Sequence, residues 1–304
     1  MNRLDRWLLT PMPATRLAAL RVAVGTYAIV FLLVRLGGFL DVLDLPARQF
    51  EPVGPLVWLG HPVGRSVALA GLAVTLVAGV AFVLGWRWRV GGPLFAVAFL
   101  AATTYRLSWG HVIHSEHLPA LSLLVLASGR CADAWSLDAR RRPPVAATPD
   151  ARYGRPIRLL CLLTVVTYVL AGLAKLRNGG WDWVDGGALR NQITYDNLRK
   201  VLLGDSYSWI GAHLVRYGWL FPPLGIAALA VELGAPVALL GGRRRTVWTT
   251  AAWVFHVGTG VLMAISFPYP LSGVAFACFY DVERVPAWAR RFRLVRRGER
   301  LPSS

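Results

Sequence analysis

The stretch S-V-A-L-A-G-L-A-V-T-L-V-A-G-V-A-F-V-L, residues 66–84, carries no charged side chain. A helix rising 1.5 Å per residue needs ~20 mainly apolar residues to cross a bilayer core, so this segment reads as a membrane span. In hydrocarbon the backbone must satisfy its own hydrogen bonds, which favours helices over open sheets. The whole chain agrees with that reading. Of 304 residues, 55% are hydrophobic and 16% charged, with a mean hydropathy of +0.48; an ordinary soluble domain carries about 25% charged residues. Disorder, coiled coil and collagen are excluded by the same figures.

Outward from that stretch, comparable segments follow one another along the chain. Residues 17–36 are interrupted by Arg21 and Arg35, and residues 90–105 and 159–174 are shorter uncharged runs beside basic residues able to snorkel. Residues 112–129 form a further span that contains His114, Glu116, His117 and Pro119. Residues 217–242 hold only Glu232 before the basic cluster that follows. Residues 246–280 are uncharged, and Pro268-Tyr269-Pro270 is expected to bend them into one full helix and one short one. The expectation is an all-α, polytopic membrane bundle of about eight transmembrane helices over residues 1–285, followed by a basic cytoplasmic tail over 286–304. The first span lacks a small-residue cleavage site and is expected to be retained.

Charge supplies an orientation. The net charge of +17 comes almost wholly from arginine, since Lys175 and Lys200 are the only lysines. In a soluble protein this balance suggests a nucleic-acid partner, but here the arginines cluster beside apolar segments and no nucleic acid is expected. With eight helices and a cytoplasmic N-terminus, 22 of the 33 basic residues fall on inside segments and 8 outside. That bias follows the positive-inside rule and puts both termini inside a multi-pass protein of the cell membrane. Cys131, Cys161 and Cys278 form no C-x-x-C pair, which disfavours a thiol oxidoreductase.

The unusual polar residues collect on the outer side of this topology. His111, His114, Glu116 and His117 open the fourth span; Lys175 closes the fifth, and Trp181, Asp182, Trp183 and Asp185 follow. Tyr168, Gly172 and Lys175 share one helical face at i, i+4 and i+7, and Ala171 with Gly172 allows another helix close approach. An ammonium in such a cleft loses hydration, which favours the neutral amine able to accept a proton. The competing reading of Lys175 is a snorkelling interfacial anchor. His114-x-x-His117 has the spacing of a helical metal pair but lacks a third ligand of suitable geometry, so no metal is expected. A proton-relay role and a plain interfacial role for His117 both stand. Glu232 shares a small-residue face with Gly225, Ala228 and Ala235, and is expected to pair with a neighbouring helix through His256.

In this order the residues resemble the membrane domain of the vitamin K-dependent gamma-carboxylases, the HTTM family. Ser115-Glu116-His117-Leu118 with Ala134-Trp135-Ser136-Leu137-Asp138 looks like the family's Asn-His segment and W-S-x-D turn. The run from Tyr168 through Ala171-Gly172 to Lys175-Leu176, followed by Trp183-Val184-Asp185-Gly186, looks like Y-x-x-A-G-x-x-K-L and W-x-x-G. Trp253-Val254-Phe255-His256 looks like a later aromatic-His segment. Two departures stand out: Ala174 precedes Lys175 where the family has a second lysine, and Glu116 stands where it has Asn.

The resemblance implies that Lys175 is a catalytic base toward reduced vitamin K or menaquinol, with His117 assisting at the extracytoplasmic face. It further implies a cleft lined by His114, Tyr168, Gly172, Trp183, Asp185, Glu232 and His256. The carboxylases carry a large extramembrane domain after this region, which the chain is expected to lack. The expected function is therefore carboxylase-like epoxidation or carboxylation chemistry on a membrane quinol, a lyase-type activity. The alternative is a non-catalytic membrane factor for maturation, export or immunity of a secreted peptide. Its partners under either reading are the lipid bilayer, a quinol and a secreted peptide substrate.

Overall fold

A computed structural model describes residues 3–110, 116–143 and 148–285. Among the described residues there is no strand, only an isolated bridge between Met12 and Asp150. The α-helices are α1 (Arg3–Leu8), α2 (Ala14–Val34), α3 (Leu36–Asp41), α4 (Arg65–Leu84), α5 (Trp88–Leu107) and α6 (His117–Ala127). They continue as α7 (Ala151–Gly179), α8 (Gly187–Leu202), α9 (Trp209–Leu214), α10 (Phe221–Leu233), α11 (Gly242–Met263) and α12 (Pro268–Leu271). Two compact units result, residues 1–160 with 280–304 and residues 161–279, so the boundary falls inside α7.

The first unit packs α2, α4, α5 and α6 together. Glycines set the closeness: a Cβ on Gly25 would lie 2.8 Å from Phe82, and one on Gly79 would lie 2.9 Å from both Ile29 and Phe95. The resulting core stacks Phe82, Phe95 and Phe99, with Trp88 5.0 Å from Phe82.

Arg21, fully buried in α2, does not face lipid. Its guanidinium donates to the carbonyls of Cys131 (2.8 Å), Ala134 (3.4 Å) and Trp135 (2.5 Å). Asp138, at the end of that turn, accepts from the backbone N–H groups of Arg87 (2.9 Å) and Trp88 (2.8 Å), where α5 begins. One carboxylate thereby satisfies the N–H groups of the cap residue and of the first residue of α5, which the helix itself leaves without partners. The Ala134–Asp138 turn is therefore a structural clasp.

Among the described residues, four helices are long and apolar enough to cross a membrane: Ala14–Val34, Arg65–Leu84, Trp88–Leu107 and the Ala151–Trp183 segment. They coincide with four of the expected spans. The others differ in form. The fourth corresponds to α6, of 11 residues, with His111 and His114 outside the described residues. Residues 217–242 contain α10, of 13 residues, followed by a 3-10 segment Ala235–Leu240, because Pro236 brings no N–H donor to the ladder. The uncharged run from 246 starts its helix earlier, at Gly242, and stops at Met263 well before the prolines. Ala264 there turns left-handed at φ 50°, and the carbonyls of Met263 and Ala264 are taken by Lys200. The short second helix is the four-residue α12. The basic tail 286–304 lies outside the described residues.

Candidate functional site

The second unit holds most of the expected site. α7 presents Tyr168, Gly172 and Lys175 along one face, and Gly172 is where α10 comes nearest. A Cβ there would lie 2.8 Å from Leu233 Cδ2 and 3.1 Å from Glu232 Cβ. That approach puts the Glu232 carboxylate against the Lys175 ammonium, and the two form an ion pair. The Glu232 side chain is 4% exposed and that of Lys175 22%. Lys175 Nζ also lies 5.2 Å from the Trp183 ring centroid and 6.0 Å from that of Phe255, distances at which an aromatic face attracts a cation.

Trp183 is itself held by backbone packing. A Cβ on Gly179 would come within 2.6 Å of its ring, and one on Gly225 within 2.2 Å of its carbonyl oxygen. Gly186, at φ 81°, lies against the backbone of Phe221 and Pro222. Gly225→Ala is therefore expected to push α10 away from the Trp183 turn and destabilise the protein by ~1–3 kcal/mol. A fall in thermal midpoint in detergent, with weaker ligand protection, checks it; an unchanged midpoint contradicts the packing described.

Two helical turns below Lys175, Tyr168 Oη and His256 Nε2 lie 2.7 Å apart. The Tyr168 ring packs edge-on to Trp248 and His256, and Phe267 stands 5.1 Å from the imidazole. Trp248 in turn donates to the Val231 carbonyl of α10 at 2.8 Å. Two buried polar atoms in this cluster have no protein partner among the described residues, Glu232 Oε2 and His256 Nδ1. Such atoms are normally satisfied in native proteins, so a pair of them marks a place for a further polar group.

The family model for the HTTM domain matches residues 10–283. The chain belongs to the HTTM domain family. With its apolar helices, that membership marks it as a membrane protein. No curated protein and no solved structure matches it.

Within the HTTM domain, the sequence-expected residues fall into three groups. Lys175, Gly172, Tyr168, Trp183, Glu232 and His256 come together as described. The expected link between Glu232 and His256 is replaced: Glu232 pairs with Lys175, and His256 uses Tyr168. Asp185 is exposed and accepts from the Gly187 backbone N–H at 2.8 Å, securing the turn into α8. His117 begins α6 in the first unit and is exposed, while His114 lies outside the described residues.

Two contributors to the HTTM site were not legible beforehand. Phe255 entered only as part of the Trp253–His256 segment, with no role of its own, and Trp248 carried no signal beyond being aromatic on an apolar helix. Glu116, read beside the histidines, is buried in an ion pair with Arg106, whose guanidinium also lies 5.5 Å from the Phe39 ring. Arg106, just past the expected span 90–105, sits in the last turn of α5. The three cysteines are free and buried, and burial pushes the Cys131 thiol well above its ordinary range, leaving it unreactive.

Proposed function

We propose that this HTTM protein is a multi-pass cell-membrane protein that acts on a membrane quinol at its extracytoplasmic face, with Lys175 as base. What carries the reading is the Lys175–Glu232 pair set under Trp183 and Phe255. The positive-inside count supports eight crossings with both ends cytoplasmic, and therefore an outward-facing Lys175.

A quinol fits the residues present. Aromatic faces at Trp183 and Phe255 suit its ring, and the unpartnered Glu232 Oε2 and His256 Nδ1 suit its hydroxyls. Reduced vitamin K or menaquinol would supply a weakly acidic hydroxyl whose ionised form reacts with oxygen. Lys175 and Glu232 supply the proton handling. As an ion pair they hold the proton on Nζ; passing it to the carboxylate leaves a neutral amine, the form that accepts a proton. The Glu232 side chain is almost inaccessible to water, so this exchange involves the two side chains more than solvent. Tyr168 holds His256 in one orientation through the 2.7 Å bond.

Quinol epoxidation by purified protein in lipid tests the proposal, with reduced vitamin K and menaquinol, bicarbonate and oxygen, for wild type beside Lys175→Ala. Lys175-dependent epoxide is the expected result. Folded, quinone-binding protein that forms no epoxide would overturn the catalytic reading and point to the membrane factor for a secreted peptide.

A further inference from the structure

α8 is built inside out. Its buried side chains are Ile193 and the polar Asp196, Asn197 and Lys200. Each polar group has a structural task. Lys200 Nζ pairs with Asp196 at 2.8 Å and caps the end of α11 through the Met263 and Ala264 carbonyls. Asn197 donates to the Leu262 carbonyl at 3.0 Å and accepts from Ser208 N–H at 2.7 Å. Because these bonds turn the polar face inward, the apolar side chains are turned outward. Tyr195 is 69% exposed, Leu198 55%, Val201 51%, Leu202 76% and Leu203 70%.

A soluble helix has the reverse arrangement, its apolar stripe facing the core. From Tyr195 to Leu203 the exposed residues are apolar, and the half-exposed Arg199 is paired with Asp196 at 3.0 Å, so the outward face offers little to an acidic or basic partner, and in water it would be costly. The neighbouring elements of the unit add Trp209 on α9, Trp181 and Trp219, each more than two thirds exposed. Exposed tryptophans around an apolar surface are the signature of a bilayer interface. The N-terminal half of α8 differs, since Arg190, Asn191, Gln192 and Thr194 are the exposed residues there.

We infer that α8 is a membrane-inserted helix. Its C-terminal half, from Tyr195 to Leu203, dips into the edge of the hydrocarbon while its N-terminal half stays in water, and lipid is the occupant of its outward face. The segment between α7 and α10 is then anchored in a leaflet, and the Trp183 turn that precedes α8 is held at the membrane surface by it. The inference stands whether or not Lys175 is a base.

Nitroxide labels on the full chain in phosphatidylcholine–phosphatidylglycerol vesicles test this, placed singly by Asn191→Cys, Tyr195→Cys, Leu198→Cys and Leu202→Cys. The wild type is labelled in parallel, because its three cysteines are buried. The ratio of collisions with oxygen to collisions with a water-soluble nickel chelate is expected to rise severalfold from position 191 to position 202. Equal access of the chelate to 191 and 202 would overturn the inference. Exclusion of both probes at 198 and 202 would overturn it too, since a protein partner or a second copy would then cover the face. A carbene-generating lipid applied to the unmodified chain is an independent check, and adducts within residues 195–203 are expected.

Discussion

Lys175→Arg is expected to keep the fold and to lower quinol epoxidation by about 10²–10⁴-fold, the usual contribution of a positioned proton-transfer group. The substitution is sharper than removal of the side chain. Arginine retains a positive charge for Glu232, offers a forked donor set to the carboxylate, and still attracts the Trp183 face. What it forfeits is the neutral form, since a guanidinium stays protonated up to pH ~12 and above. Lys175→Ala, by contrast, also leaves the nearly inaccessible Glu232 without its cation, mixing a folding defect into the activity loss. Epoxide formation and thermal midpoint measured on one preparation separate the two effects. Full activity in Lys175→Arg would sink the base reading and leave a cationic anchor in its place.

Arg21→Met carries the largest expected effect on stability. The unbranched stem is retained as far as the position of Nε, but the buried carbonyl of Cys131 and the part-buried carbonyl of Trp135 lose donors at 2.8 and 2.5 Å. Hydrogen bonds to a charged group contribute about 1.5–3 kcal/mol each, so a loss of roughly 3 kcal/mol or more is expected. The damage should spread, because the same turn carries Asp138, the cap of α5. Arg21→Lys is expected to recover little, since one ammonium does not span carbonyls that a planar fork reaches together. Recovery of monodisperse protein in detergent and its thermal midpoint measure this; wild-type values for Arg21→Met would contradict the clasp.

How much of this could be read beforehand depends on whether a feature is local. The Tyr168, Gly172 and Lys175 face is a matter of helical period, and Gly172 as a close-approach point follows from its missing side chain; both are seen in the structure. The partner of Glu232 is not local. Lys175 and His256 are both plausible on charge, and only the depth at which Leu233 settles over Gly172 selects the lysine. α8 was illegible for a related reason: its polar residues suggested a watery outer loop, whereas they bond to carbonyls at the end of α11. The early stop of α11 has the same source, since a cap supplied by Lys200, some sixty residues earlier, is invisible in the uncharged run itself. Asp138 was noted only as part of a motif, because its backbone partners lie near residue 87.

The position of Arg21 also bears on how the chain is made. An arginine within a spanning helix raises the cost of insertion, by ~2.5–3.5 kcal/mol at the bilayer centre. The carbonyls that receive it belong to residues 131–135, more than a hundred residues later in synthesis. Until those residues emerge, α2 has no carbonyls to receive its guanidinium. Biogenesis of the first unit is thus expected to be ordered by a side chain: ribosomes must have passed the Ala134–Asp138 turn before α2 can take its final place.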